Sequence, residues 1–228
     1  MSLRLLSGGA ANGLVNTRRA TFRDRTGHEI QGDFGAVGGM KDRILAGEAI
    51  DLAILTRPVI DALVAAGKLR GDTVTDLGDV ATGVAVKSGA PAPSIGDADS
   101  LGAALLAADA IFCPDTVKAT AGIHVAAMLD RLGIRDQVRI EEFPNGQTAM
   151  AQMAGSPLAN PIGCTQVTEI LNTDGVTLIG PLPDPFALST VYSAAVATDA
   201  EAPEDARLLI EMLADPEIAE IRRGVGFS

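Results

Sequence analysis

The sequence predicts an α/β protein built as two lobes, and three observations carry that expectation. Short apolar β-like runs alternate with helix-like stretches nearly throughout the 228 residues, the pattern of helices layered on a largely parallel sheet. Two extended segments, around Val84 and Val191, interrupt the alternation and read as crossings between lobes. The chain closes on two helical segments split at Asp215 and Pro216, expected to return to the first lobe. The expected boundaries are therefore 1–82 with 187–228 for one lobe and 83–186 for the other, with a ligand cleft between them.

The first strand is "LRLLS", and a helix is expected over 12–26. Between them lies "GGAANG". Gly8 and Gly13 have the spacing of a nucleotide P-loop, but Leu14 and Val15 stand where that motif needs Lys and then Ser or Thr, which disfavours a triphosphate cradle. Two readings remain: a turn whose backbone N–H groups dock a small anion, and a tight strand-to-helix turn with no ligand. "EIQGDFG" and "GGMKDRILAG" form the next strand and helix, followed by "DLAILT" and "RPVIDALVAAGKL", with Pro58 in the first helical turn. After the crossing "ATGVAVKSGAPAP" a second set follows: "AIFCPD", "AGIHVAAMLDRLGI", "VRIEEF", "GQTAMAQMAGS" and "PIGCTQ". Then come the proline-punctuated "GVTLIGPLP" and the second crossing "STVYSAAVAT". In sheets of this kind ligands bind beyond the carboxyl ends of the strands.

Composition narrows the function classes. A hydrophobic fraction of 47% with 21% charged residues indicates a globular chain. A net charge of −11 disfavours a nucleic-acid surface, so a bound anion must be drawn by local donors. No apolar run approaches the length of a membrane span, and no basic region followed by an apolar one opens the chain. A cytoplasmic location is expected, or a periplasmic one if a leader has been removed. Cys113 and Cys164 sit in apolar runs without metal-ligand spacing and read as buried thiols, the alternative being a single bridge. No spacing suits zinc or iron.

The order of these pieces resembles the type II periplasmic-binding-protein fold, and within it the molybdate-binding component of ABC transporters. "GGMKDRILAGEAIDLAILT", "TAGIHVAAMLDRLGI" and "LLIEMLADPEIAEIRRGVGF" carry the resemblance, which runs nearly end to end. It implies a monomer without cofactor that holds a tetrahedral dianion between its lobes on hydroxyl and main-chain donors, and a transporter permease as partner. The implied donor stations are Ser7, Gly8, Gly9 and Ala10; Val37, Gly38 and Gly39; Ala121 and Gly122; Asn145 and Gly146; Thr165 and Gln166. Family members place Ser hydroxyls at the first two stations and a Tyr at the last, where Gly9, Gly38 and Gln166 stand here.

Charged residues near these stations admit further roles. Lys41 and Lys118 read as solvated surface charge or as ligand cations. Arg57 follows Thr56 at the ligand end of a buried strand, where a guanidinium suits bidentate carboxylate recognition. His124, near a helix start, reads as a structural hydrogen-bonding group or as a ligand-binding or proton-transferring one. His28, in a polar turn, reads as solvent-exposed. Glu169 reads as a helix-start residue or as a proton carrier. No G-x-S-x-G elbow is present, and Ser7, His124 and Asp115 have no spacing that requires a hydrolytic triad. The first functional reading is a solute-binding protein capturing a molybdate- or tungstate-like oxyanion. The second is an enzyme on the same scaffold, since relatives of the molybdate-binding proteins include an aconitate isomerase. In it Arg57 and Lys41 hold carboxylates while His124 or Glu169 moves an allylic proton.

Overall fold

A computed structural model describes residues 2–228. In chain order the elements are β1 (Ser2–Gly8), α1 (Asn12–Asn16), α2 (Arg19–Thr26), β2 (Glu29–Gly35), α3 (Val37–Leu45), β3 (Leu52–Thr56), α4 (Arg57–Ala65) and β4 (Thr75–Lys87). Next are α5 (Ala98–Leu106), β5 (Ala110–Pro114), α6 (Thr120–Leu132), β6 (Ile140–Phe143), α7 (Gly146–Gly155), β7 (Pro161–Gln166), α8 (Val167–Leu171) and β8 (Val176–Pro181). The chain ends with β9 (Ser189–Val196), α9 (Pro203–Ala214) and α10 (Ala219–Gly224). Two compact units result, residues 1–80 with 190–228, and residues 81–189. The chain passes between them within β4 and again at the start of β9. Among the described residues no helix is long and apolar enough to cross a membrane.

In the first unit β1 is the central strand. It pairs in parallel with β2, from Ser2 opposite Glu29 to Gly8 opposite Gly35, and with β3 through Leu5 opposite Leu52. Strand β9 joins β3 antiparallel, with Thr56 opposite Tyr192. Both faces of this sheet are covered, so Leu3, Leu5, Leu6, Ile54 and Leu55 are all buried without alternation. Asp51, just ahead of β3, fastens three segments. Its carboxylate accepts the Arg4 amide at 2.8 Å, the Arg4 Nε at 3.3 Å, the Glu201 amide at 2.8 Å and the Ala202 amide at 3.1 Å. Burial opposes its ionisation, but these donors outweigh burial and hold its pKa below the ordinary carboxylate value. The last residue is tied back as well, Ser228 and Asp79 exchanging both backbone hydrogen bonds at 2.9 Å. Gly78, at φ +139°, is required there, because a Cβ would stand 2.8 Å from the Ser228 carbonyl.

The second unit repeats this plan. Central β5 pairs in parallel with β6 and β7, while β4 joins β7 antiparallel and carries β8 on its other side. The β4–β7 ladder separates two cores. Val84, Ile162 and Cys164 pack with Leu101, Leu105, Val125 and Met128 of α5 and α6. Ala85 packs with Ala149, Met150, Met153 and Ile170 of α7 and α8. Both cysteines are free and buried. Burial pushes the Cys113 thiol up to about 12 and raises that of Cys164 as well.

The structure departs from the sequence expectations at three places. The helix expected over 12–26 is two helices, because Thr17 turns its hydroxyl onto the Leu14 carbonyl at 2.7 Å and the amides of Thr17 and Arg18 bond three residues back. Helix α5 was not anticipated, although Asp97 and Ser100 form a reciprocal capping box at its start. His28 is only partly exposed, its Nδ1 lying 2.5 Å from Asp205 Oδ2. Because Asp51 satisfies three backbone amides as well as Arg4, Asp51→Ala is expected to lower unfolding free energy by about 3–5 kcal/mol in denaturant titration at neutral pH. A loss under about 1 kcal/mol would contradict this anchoring role.

Candidate functional site

The expected stations of the first unit lie at strand ends and helix starts. Ser7 is fully buried at the end of β1, and its hydroxyl donates to the Gly8 carbonyl at 2.9 Å. A Cβ on Gly8 would come within 2.9 Å of Tyr192 Cε1 and 3.1 Å of Val37 Cγ2. The glycine is thus explained by close packing of the single tyrosine against the β1 end. Gly9 and Ala10 form a buried 3-10 turn with Ala11 ahead of α1. Helix α3 starts after Ala36 without a side-chain cap, leaving the first amides around Gly38 and Gly39 to other acceptors. Lys41, one turn further along α3, is half-buried.

Arg57 occupies the first position of α4 and is already engaged. Its Nε donates to Asp61 at 2.9 Å and its Nη1 to Asp76 at 3.0 Å, and Asp76 also accepts the buried Ser193 hydroxyl at 2.6 Å. The carboxylate partners expected of a ligand are supplied here by α4 and β4 themselves. A different arginine is left short of partners. Arg18, in the turn between α1 and α2, has buried Nε and Nη2 atoms with no hydrogen-bond partner in the protein. Nothing in the spacing of "NTRRAT" marks it apart from its neighbour Arg19, which donates to the Ile30 carbonyl.

In the second unit the stations divide between the two faces of the β4–β7 ladder. Thr165 faces α7. Its hydroxyl donates at 2.6 Å to Glu169 Oε2, and the amides of Gly146, Gln147 and Gln166 also donate to that carboxylate. Burial raises the Glu169 pKa, and the hydrogen bonds from Thr165 and the three amides oppose that rise. A Cβ on Gly146 would lie 1.9 Å from Thr165 Oγ1 and 2.0 Å from Glu169 Oε2. The α7 start is therefore closed against an internal carboxylate, while Asn145 caps the same helix by accepting the Thr148 amide at 2.8 Å. Gly122, in α6, is also a packing glycine: its Cβ would stand 2.2 Å from the Asp115 carbonyl oxygen. Beside it Ala121 is buried. His124 binds the Phe186 carbonyl through Nε2 at 2.7 Å, holding the 182–188 segment on α6. Lys118 is exposed. Among the described residues no group of three His, Cys, Asp or Glu side chains could hold a metal ion.

The opposite face of the ladder ends differently. Side chains directly opposite across antiparallel strands share a face, so Val86 with Ile162, Val84 with Cys164, and Thr82 with Gln166 form one row. The first two pairs are apolar and buried; the third is polar and equally buried. Both backbone groups of Thr82 are taken, by Leu182 and Leu188 at 2.9 Å each. Its hydroxyl has no partner, nor have Gln166 Oε1 and Nε2, nor the hydroxyl of buried Thr168 in α8. Each such group left unmatched costs about 1–3 kcal/mol. Sequence reasoning names Gln166 as a candidate station and does not single out Thr82 or Thr168. The available signal was a threonine interrupting the apolar strand "DVATGVAV".

Glu169 gives the site a testable pH signature. A carboxyl whose pKa is raised by folding loses stability relative to the unfolded chain as pH climbs above its ordinary value. The unfolding free energy of wild type minus that of Glu169→Gln is expected to fall as pH rises from about 4 to 8. Parallel pH profiles in denaturant titration would contradict it.

Comparison with known proteins gives the family and the fold. The family described as Bacterial extracellular solute-binding protein matches residues 3–228. An aconitate isomerase from Pseudomonas sp. is 26% identical over 229 residues, covering 96% of this chain and 84% of that protein. Among solved structures, the periplasmic molybdate-binding protein of Azotobacter vinelandii superposes with a TM-score of 0.77 at 17% identity, covering 100% of this chain and 99% of that one. The sulfate-binding protein SubI of Mycobacterium tuberculosis H37Rv gives 0.77 at 16% identity, covering 100% and 86%. The mixed α/β architecture is that of the periplasmic binding proteins. The chain belongs to the bacterial extracellular solute-binding protein family.

Proposed function

We propose that this chain is a solute-binding protein that captures a small anion on neutral donors and passes it to an ABC transporter permease. The observation that carries this reading is the buried, unmatched pair of Thr82 and Gln166 at the end of the β4–β7 row. Hydroxyls and an amide hold a small anion well once water is excluded, because each hydrogen bond then acts in a low dielectric. Family membership and the likeness to molybdate- and sulfate-binding folds support it. The reading admits a compact oxyanion of the molybdate or tungstate type and a small carboxylate; the 26% identity to an aconitate isomerase favours the second class.

Capture is favoured over isomerisation by the state of the two candidate proton carriers. His124 is committed to a backbone carbonyl, and Glu169 to three amides and a hydroxyl. A panel of molybdate, tungstate, sulfate, citrate and the aconitate isomers in a thermal-shift assay tests the proposal. A cognate anion at 100 times its Kd is expected to add about 2.7 kcal/mol of stability. No shift with any anion, or turnover of an aconitate isomer, would contradict it. Since Arg57 is neutralised by Asp61 and Asp76, Arg57→Ala is expected to bind that anion within about threefold of wild type by calorimetry. A loss of tenfold or more would return Arg57 to the site.

A further inference from the structure

The hydrogen-bonding inventory of the Thr82–Gln166 pair limits what it can hold. A glutamine amide offers donors at Nε2 and an acceptor at Oε1. Both polar atoms of the Gln166 side chain are buried without a partner, at the end of a row whose other pairs are apolar. A fully deprotonated oxyanion accepts hydrogen bonds only; it satisfies Nε2 and leaves Oε1 unmatched. The hydroxyl of Thr82 supplies either role, so the amide oxygen is the discriminating atom.

We infer that the ligand is a hydroxylated carboxylate, its carboxylate accepting from Gln166 Nε2 and the Thr82 hydroxyl while its own hydroxyl donates to Gln166 Oε1. This deepens the small-anion reading above and rests on it. Thr82 becomes a ligand-contacting residue, and specificity falls on the hydroxyl: a ligand lacking it leaves a buried acceptor unpaired, which sites of this kind reject strongly.

Matched probe pairs test the inference: malate against succinate, and citrate against tricarballylate, which differ only in one hydroxyl. Isothermal titration is expected to show the hydroxylated member of at least one pair binding wild type at least tenfold more tightly. In Gln166→Leu that ratio is expected to fall to about twofold or less. Thr82→Val, which keeps shape and removes the hydroxyl, provides a second variant should Gln166→Leu not fold, and is expected to weaken the hydroxylated probe at least fivefold. Equal affinities within every pair that binds, or a ratio unchanged in a folded Gln166→Leu, overturns the inference. Binding of molybdate or sulfate with no binding of any carboxylate overturns it too, while leaving the small-anion reading standing. Failure of every anion overturns both.

Discussion

A polar group carried out of water must find a partner, and that constraint sorts the interior of this protein. Asp51 meets it with Arg4 and the amides around Glu201, fastening the start of β3 to β1 and to the approach to α9. Glu169 meets it with Thr165 and three amides at the starts of α7 and α8. Ser193 meets it by donating to Asp76. Each of these groups is polar, partly or wholly buried, and matched. Among the described residues the exceptions are Thr82, Gln166 and Thr168 in one unit and the Arg18 guanidinium in the other.

The two internal carboxylates also show how one chemistry serves opposite ends. Around Asp51 the donors win over burial and the group stays readily ionised; around Glu169 burial wins and the carboxyl holds its proton more tightly. Asp51 therefore supports the fold above its unfolded pKa, whereas ionising Glu169 works against the fold. Glu169 also occupies donors at the start of α7. This is why Gly146 sits so close to a carboxylate without being open to one from outside.

Much of the architecture was legible because short apolar runs alternate with helix-like stretches along the chain. β7 runs from Pro161 to Gln166, as "PIGCTQ" indicates, and the Asp215–Pro216 break divides the closing helices. Helix α5 escaped because "ADSLGAALL" has a weak apolar stripe, though its capping box was present. The 12–26 helix broke at Thr17, whose side chain competes for a helix carbonyl. The site was legible at strand ends but not in its chemistry. Glycines look alike in sequence, yet Gly8, Gly122 and Gly146 are held by a tyrosine ring, a carbonyl and a carboxylate. Arginines look alike too, and Arg57 drew attention by its place after a strand although two aspartates lie against it. Threonine is at home on both surfaces and strands, so the interruption of "DVATGVAV" by Thr82 marks the position without showing that its hydroxyl lacks a partner.

The most direct measurement of the central claim is the side-chain amide of Gln166 itself. In a 15N-labelled protein the Gln166 NH2 pair, assigned by its loss in Gln166→Leu, is followed while a tightly binding anion is titrated in. Direct contact predicts that this pair shifts in step with occupancy and becomes protected from solvent exchange at saturation. A saturated protein whose Gln166 NH2 pair neither shifts nor gains protection would contradict it.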